Sequence, residues 1–157
     1  MDPIEVLTQW LRGIRIFHIA HFRAAARCSR MGRFLGVPVV ILTTIVGTAI
    51  FATLNEAQSD SLRIVAGVLS MLAAILSGVQ TFLDYSAREQ KHHQAAVAFA
   101  RLRREVEEFL SFFSSPQDQR EFMKKTRDQW DALVDSSPDV SQAIYDKARS
   151  MISRTGK

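Results

Sequence analysis

Two stretches of the chain, Phe34 to Asn55 and Ile64 to Leu83, hold no ionisable side chain, while charges crowd every other region. Within them "GVPVVILTTIVGTAIFATL" (36–54) and "IVAGVLSMLAAILSGVQTFL" (64–83) each supply the roughly 20 apolar residues that cover ~30 Å of hydrocarbon at 1.5 Å per residue. The alternative is a buried hairpin in a soluble bundle. Helices of that kind normally carry a polar stripe, and so small a chain has too few other helices to cover two of them on every side. The connecting "NEAQSDSLR" (55–63) is rich in turn and cap formers and too short for a domain. The pattern therefore predicts an antiparallel pair of membrane helices.

The second stretch runs into charged sequence with no Pro or Gly between Gly78 and Pro116. A single helix of ~50 residues is expected to leave the membrane and continue to about Phe113. In its distal half Ala95, Phe99, Leu102, Val106, Phe109 and Phe113 alternate at steps of four and three, a coiled-coil seam for a bundle or an oligomer. The amino-terminal segment offers a matching row: Ile4, Leu7, Leu11, Ile14, His18, His21, Ala25 and Cys28, opened by Asp2, Pro3 and Glu5 as a capping-box start. "SSPQD" (114–118) and "SSPD" (136–139) each place Ser before Pro with an acid behind, which predicts two further helix starts. Phe122, Met123, Trp130, Leu133 and Val134 give the first of these helices an apolar side, and Val140, Ile144, Ala148 and Ile152 give one to the second. No strand pattern occurs. The expected fold is all-α, a two-span transmembrane helical hairpin with long cytoplasmic helical extensions forming a bundle. It divides into an amphipathic helix at 1–34, the hairpin at 35–83, and a helical region at 84–157 with a long helix to about 113 and two shorter ones.

Averages conceal this organisation: 157 residues with 23% charged side chains would pass for an ordinary soluble domain. The net charge of +4 acquires meaning from its distribution. Arg23, Arg27, Arg30 and Arg33 precede the first span, and Arg88, Lys91, Arg101, Arg103 and Arg104 follow the second. Only Arg63 lies in the connection. The positive-inside tendency then places both termini in the cytoplasm, and the basic excess suits anionic lipid headgroups. A cleaved signal peptide is not expected, because the first apolar run begins after some 34 residues with six arginines. Nucleic acid is not an expected partner either, since no aromatic-basic motif or zinc spacing accompanies the charge.

Catalytic chemistry has no foothold in the pattern. No serine sits in a nucleophile elbow and no glycine-rich phosphate loop follows a strand, so neither an enzyme nor a cofactor is expected. The lone Cys28 falls on the apolar seam and reads as a buried structural thiol. His18 and His21 lie three apart on one helix while His92 and His93 are adjacent on another. The four could converge to take zinc, to sense pH, or simply to fill a hydrogen-bonded polar layer. The second span carries Ala66, Ser70, Ala73, Ser77 and Gln80 on one face with Asp84 at its end, and the first carries Thr43, Thr44, Gly47, Thr48 and Ala52. Such stripes permit close helix packing. They also make Thr44, Thr48, Ser70, Ser77, Gln80 and Asp84 candidates for lining a polar pathway, which requires several copies because one hairpin cannot enclose a pore.

"HFRAAARCSRMGRFLGVPVVILTTIVGTAIFATL" and "AAILSGVQTFLDYSAREQKHHQAAVAFARLRREVE" resemble the SLATT family, the SMODS and SLOG-associating two-transmembrane effector domains, from His21 to about Glu107. The resemblance rests on the order and spacing of a His before an aromatic and small residues, Gly36 and Pro38, Gly47-Thr48, Gln80-Thr81-Phe82, and a His ahead of "AAVAFARLRREVE". Phe22 and Phe99 stand where Tyr is expected. The resemblance implies an oligomeric effector of the bacterial inner membrane, pore-forming or membrane-depolarising, in an anti-phage defence system. As a stand-alone member with no fused nucleotidyltransferase or sensor domain, it would be triggered by a separate sensor or nucleotide-synthesising protein. The other reading is a small membrane scaffold or regulatory subunit that recruits a cytoplasmic partner.

Overall fold

Alternating apolar positions at three- and four-residue spacing make helices wherever the chain is charged, and the two uncharged stretches make helices because apolar surroundings leave the backbone no other way to pair its polar groups. The computed structural model describes residues 3–52, 60–112 and 115–155. The described residues form α1 (Pro3–Ala52), α2 (Asp60–Leu83), α3 (Tyr85–Ser111), α4 (Pro116–Ser136) and α5 (Gln142–Thr155), with no strand among them. The fold is all-α. Two compact units emerge, Met1–Arg27 with Arg88–Lys157 and Cys28–Ala87, and α1 and α3 contribute to both.

In the first unit α1 and α3 meet along the expected seam. Leu11 and Ile14 pack with Phe99, Leu102 and Val106, all at most 9% exposed, and Phe17, Leu110, Phe122, Trp130 and Leu133 close over them. Ala95 is buried, and the half-buried Phe109 stacks on Phe122 with ring centroids 3.9 Å apart. The seam is thus filled within one chain. A second cluster joins Ile16 and Ala20 of α1 to Ala148 of α5, with Val140, Ile144 and Ile152 around it. Ile4, at the start of the predicted row, is 51% exposed, and Val134 of α4 is also exposed. Phe113 and Asp2 lie outside the described residues.

Two helix boundaries depart from expectation. The unbroken helix of about 50 residues is α1, which runs through Pro38, whereas the second apolar helix stops at Leu83 and α3 starts at Tyr85. Between them Asp84 has φ of 39°, the left-handed region that Asp tolerates better than most residues. Its side chain explains the choice: Oδ1 accepts the Ala87 backbone N–H at 3.2 Å and caps the first turn of α3. The absence of Pro and Gly concealed a break that one aspartate makes. Likewise "SSPD" opens no helix, since Ser137 caps the end of α4, its hydroxyl donating to the Leu133 carbonyl, and α5 begins only at Gln142. The earlier "SSPQD" behaves as expected: Ser115 and Asp118 form a reciprocal capping box with Pro116 in the first turn.

In the second unit the two apolar helices run antiparallel. Gly32 of α1 lies beside Tyr85 and Gly36 beside Gln80, while Thr43 and Gly47 share a groove with Ser70, Ala73 and Ser77 of α2. Their other faces expose Val40, Ile41, Ile45, Val65, Val68, Met71, Leu72, Ile75 and Val79. Contiguous apolar surface of this extent on helices of membrane-spanning length is what a bilayer covers. The connection at 53–59 lies outside the described residues.

Gly13 fixes the seat of α4 in the bundle. A Cβ there would stand 2.6 Å and 2.9 Å from two carbons of the Trp130 indole, which also packs edge-on against Trp10 at 6.3 Å. Gly13→Ala raises helix propensity by about 1 kcal/mol but displaces a rigid ring, at about 1–3 kcal/mol. The expected outcome is a lower melting temperature for Gly13→Ala than for wild type. In a Trp130→Phe background the added penalty of the alanine shrinks, as a thermal double-mutant cycle would show.

Candidate functional site

Two groups of polar side chains carry the functional question, one in each unit. In the apolar hairpin, spacing of three and four along α2 brings Ser70, Ala73, Ala74 and Ser77 to one face, and Val39, Thr43, Val46 and Gly47 of α1 stand across from them. Together they line a groove of about 420 Å³. Ala73 is its closed point at 5% exposure, so small side chains are what lets the backbones approach. Gln80 extends the stripe: its amide lies against Gly36, where a Cβ would stand 3.3 Å from Nε2.

The candidate pathway residues are thus divided. Ser70 and Ser77 share the groove, Gln80 abuts Gly36, and Asp84 caps α3. Thr44 and Thr48 are exposed, with hydroxyls donating to the carbonyls of Val40 at 2.7 Å and Thr44 at 2.9 Å in their own helix. Thr43 rather than Thr44 faces the serines. Spacing alone does not single Thr43 out, because Thr44 and Thr48 repeat the same four-residue step as Thr43 and Gly47.

The other group lies in the bundle. His21 and His92 are both buried, and their Nδ1 atoms stand 3.1 Å apart. One ring donates and the other accepts, so the pair holds one Nδ1–H between two neutral imidazoles. The His21 ring stacks against Phe17 and Phe99, which also stack on each other, with centroids 6.4 Å and 5.5 Å from it. Burial, and then the neighbouring His92, push the His21 imidazole down from 6.5 to about 4, and burial also lowers His92. The four histidines do not come together; only His21 and His92 meet. His93 is exposed beside Phe22, and His18 is half-buried in a separate cavity. Helix geometry gives the reason: adjacent residues point about 100° apart, so His92 turning inward carries His93 outward. No cluster of three or more His, Cys, Asp or Glu occurs among the described residues. Cys28 is half-buried rather than enclosed.

The pair makes the bundle acid-sensitive, and the sign follows from the depressed values. With the folded-state pKa below 6.5, the unfolded chain binds more protons as pH falls, so stability is fully present above about 6.5 and is lost toward 4. The charges and dipoles facing the pair include Asp139 and Tyr145, which share a cavity with His21. Acidification from pH 7.5 to 5 should destabilise the bundle by about 2 kcal/mol through His21 alone. Thermal melts across that range check it, with a flatter profile expected for His92→Gln.

Two antiparallel helices of membrane length and a small-residue stripe, joined to a charged helical bundle, also describe a known protein family. Residues 14–155 match the model of "SMODS and SLOG-associating 2TM effector domain family 4". Comparison with curated proteins and with solved structures finds no match. The match takes in α1 from Ile14 onward, the other four helices, the histidine pair and the whole groove, and it extends well beyond the stretch from His21 to Glu107 that carries the motifs. The chain belongs to the SLATT family of two-transmembrane effector domains and is a membrane protein of the effector class found in conflict and defence systems.

Proposed function

We propose that the protein is an oligomeric effector of the bacterial inner membrane. On a signal from a separate sensor or nucleotide-synthesising partner, it lets ions leak across the bilayer and so arrests the infected cell. The supporting observation is the groove of Thr43, Gly47, Ser70, Ala73 and Ser77, a polar and small-residue face on a hairpin whose other surface is apolar. Several hairpins turning this face inward would line a path with Ser70, Ser77 and Gln80, while Thr44, Thr48 and Asp84 would serve its rim and mouth. The distribution of basic residues supports cytoplasmic termini. The output in this reading is conduction rather than catalysis.

The second reading, a membrane-anchored scaffold, draws support from the α1–α3 seam. Its apolar row is already satisfied within one chain, so the bundle is a complete folded unit that could recruit a partner.

Two measurements separate the readings. The purified full chain in a planar bilayer should carry current above the lipid baseline. In a Cys28→Ser background, single cysteines at 70, 77 and 80 should react with a water-soluble thiol reagent in activated membranes, whereas those at 68, 72 and 75 should not, because thiolates form poorly in hydrocarbon. Equal protection of both faces together with a silent bilayer would select the scaffold. Tags at the termini should be accessible only from the cytoplasmic side.

A further inference from the structure

One cavity of the bundle lies apart from the histidine pair and the hairpin and touches the seam only at Leu11. It encloses about 580 Å³ between α1, α3 and α5, within the roughly 300–1,000 Å³ range of small-molecule sites. Arg12, Arg15 and His18 line it from α1, Arg103 from α3, and Ser153 from α5. Thr8 adds a hydroxyl, and Leu11, Ile19 and Ile152 form an apolar wall.

The charges in this cavity do not balance. Glu107 pairs with Arg15 at 2.6 Å and stands 3.6 Å from the Arg103 Nε, too far for a hydrogen bond. That Nε is buried and has no hydrogen-bond partner. Arg12 makes no ion pair among the described residues. Three guanidinium groups against one carboxylate leave two positive charges, which matches the charge of a phosphate ester near neutral pH. His18 feels the excess: burial, then Arg103 and Arg104, hold its imidazole below the usual value, so it stays neutral and adds no further cation.

We propose that this cavity binds a small organic phosphate, with the phosphate held by Arg12, Arg15 and Arg103 and its less polar body against Leu11, Ile19 and Ile152. Guanidinium groups suit this role because their planar forks give paired, charge-assisted hydrogen bonds to phosphate oxygens. An anion there gives the buried Arg103 Nε the acceptor it lacks. The assignment of a site stands on the cavity itself. Its use as the trigger rests on the effector function proposed above, because α1 is a single helix that contributes both to this cavity and to the groove-bearing hairpin.

Calorimetric titration of the full chain in phosphatidylcholine nanodiscs, with inorganic pyrophosphate and with ADP as probes, tests the assignment. Saturable binding is expected, weakened about tenfold by Arg12→Gln and again by Arg103→Gln, since each removes a charged contact. Arg127→Gln, on α4 and paired with Asp128, should leave it unchanged. Arg12 is exposed and makes no ion pair among the described residues, so its variant should keep the wild-type melting temperature and serves even if Arg103→Gln fails to fold. Absence of saturable binding for both probes, or equal binding by wild type and Arg12→Gln, overturns the site. Loss of ADP binding when phosphatidylglycerol replaces phosphatidylcholine also overturns it, because the arginines would then serve a lipid headgroup. Binding by a chain that carries no current supports the site and counts against the pore.

Discussion

The contact between α1 and α3 around Phe99 holds the bundle together. Phe99 is fully enclosed and stacks on Phe17 at 5.3 Å and on His21 at 5.5 Å. Leu11, Ile14, Leu102 and Val106 extend the same interface, each worth about 1.5–3 kcal/mol of burial. α4 and α5 add to a surface that this pairing creates: α4 seats Trp130 over Gly13, and α5 lays Ala148 on Ile16 and Ala20. α1 and α3 meet in this unit although about sixty residues of chain, Cys28–Ala87, separate their packed parts.

Long periodic signals survived translation into structure, and single-residue decisions did not. The two uncharged runs, the Ala95-to-Val106 seam and the Val140-to-Ile152 row are sums over many side chains, so no one neighbour overrides them. Asp84 is the opposite case. Its backbone turns left-handed because its carboxylate can cap the following turn, a gain invisible to a search for Pro and Gly. Ser137 shows the same competition, for a Ser-Pro pair can finish one helix as readily as start another, and here the Leu133 carbonyl took the hydroxyl. That Ser70 and Ser77 share a face of α2 was legible from their spacing, whereas the rotation of α1 that brings Thr43 rather than Thr44 forward is a matter of packing, in which Gly36 lies against Gln80.

The bundle handles its nitrogen-rich side chains in two ways. His21 and His92 satisfy each other and stay uncharged in an aromatic enclosure, where an ionised ring would face a large desolvation cost. The arginines of α1 and α3 cannot shed their protons, so they face an open cavity where counter-charge can enter. His18 lies at that border, one helical turn from His21, and its neutrality is enforced by neighbouring cations as well as by burial.

The threonine hydroxyls of α1 bear on how the chain can enter a bilayer. Thr43, Thr44 and Thr48 each return their hydroxyl hydrogen to a carbonyl three or four residues earlier, and Thr81 of α2 does the same to Ser77. A lone hairpin therefore offers lipid no unpaired donor at these positions, and none of them demands a neighbouring copy at the moment of insertion. Insertion of a newly made chain then needs no second copy to satisfy these hydroxyls, because each is paired inside its own helix before any helix meets another.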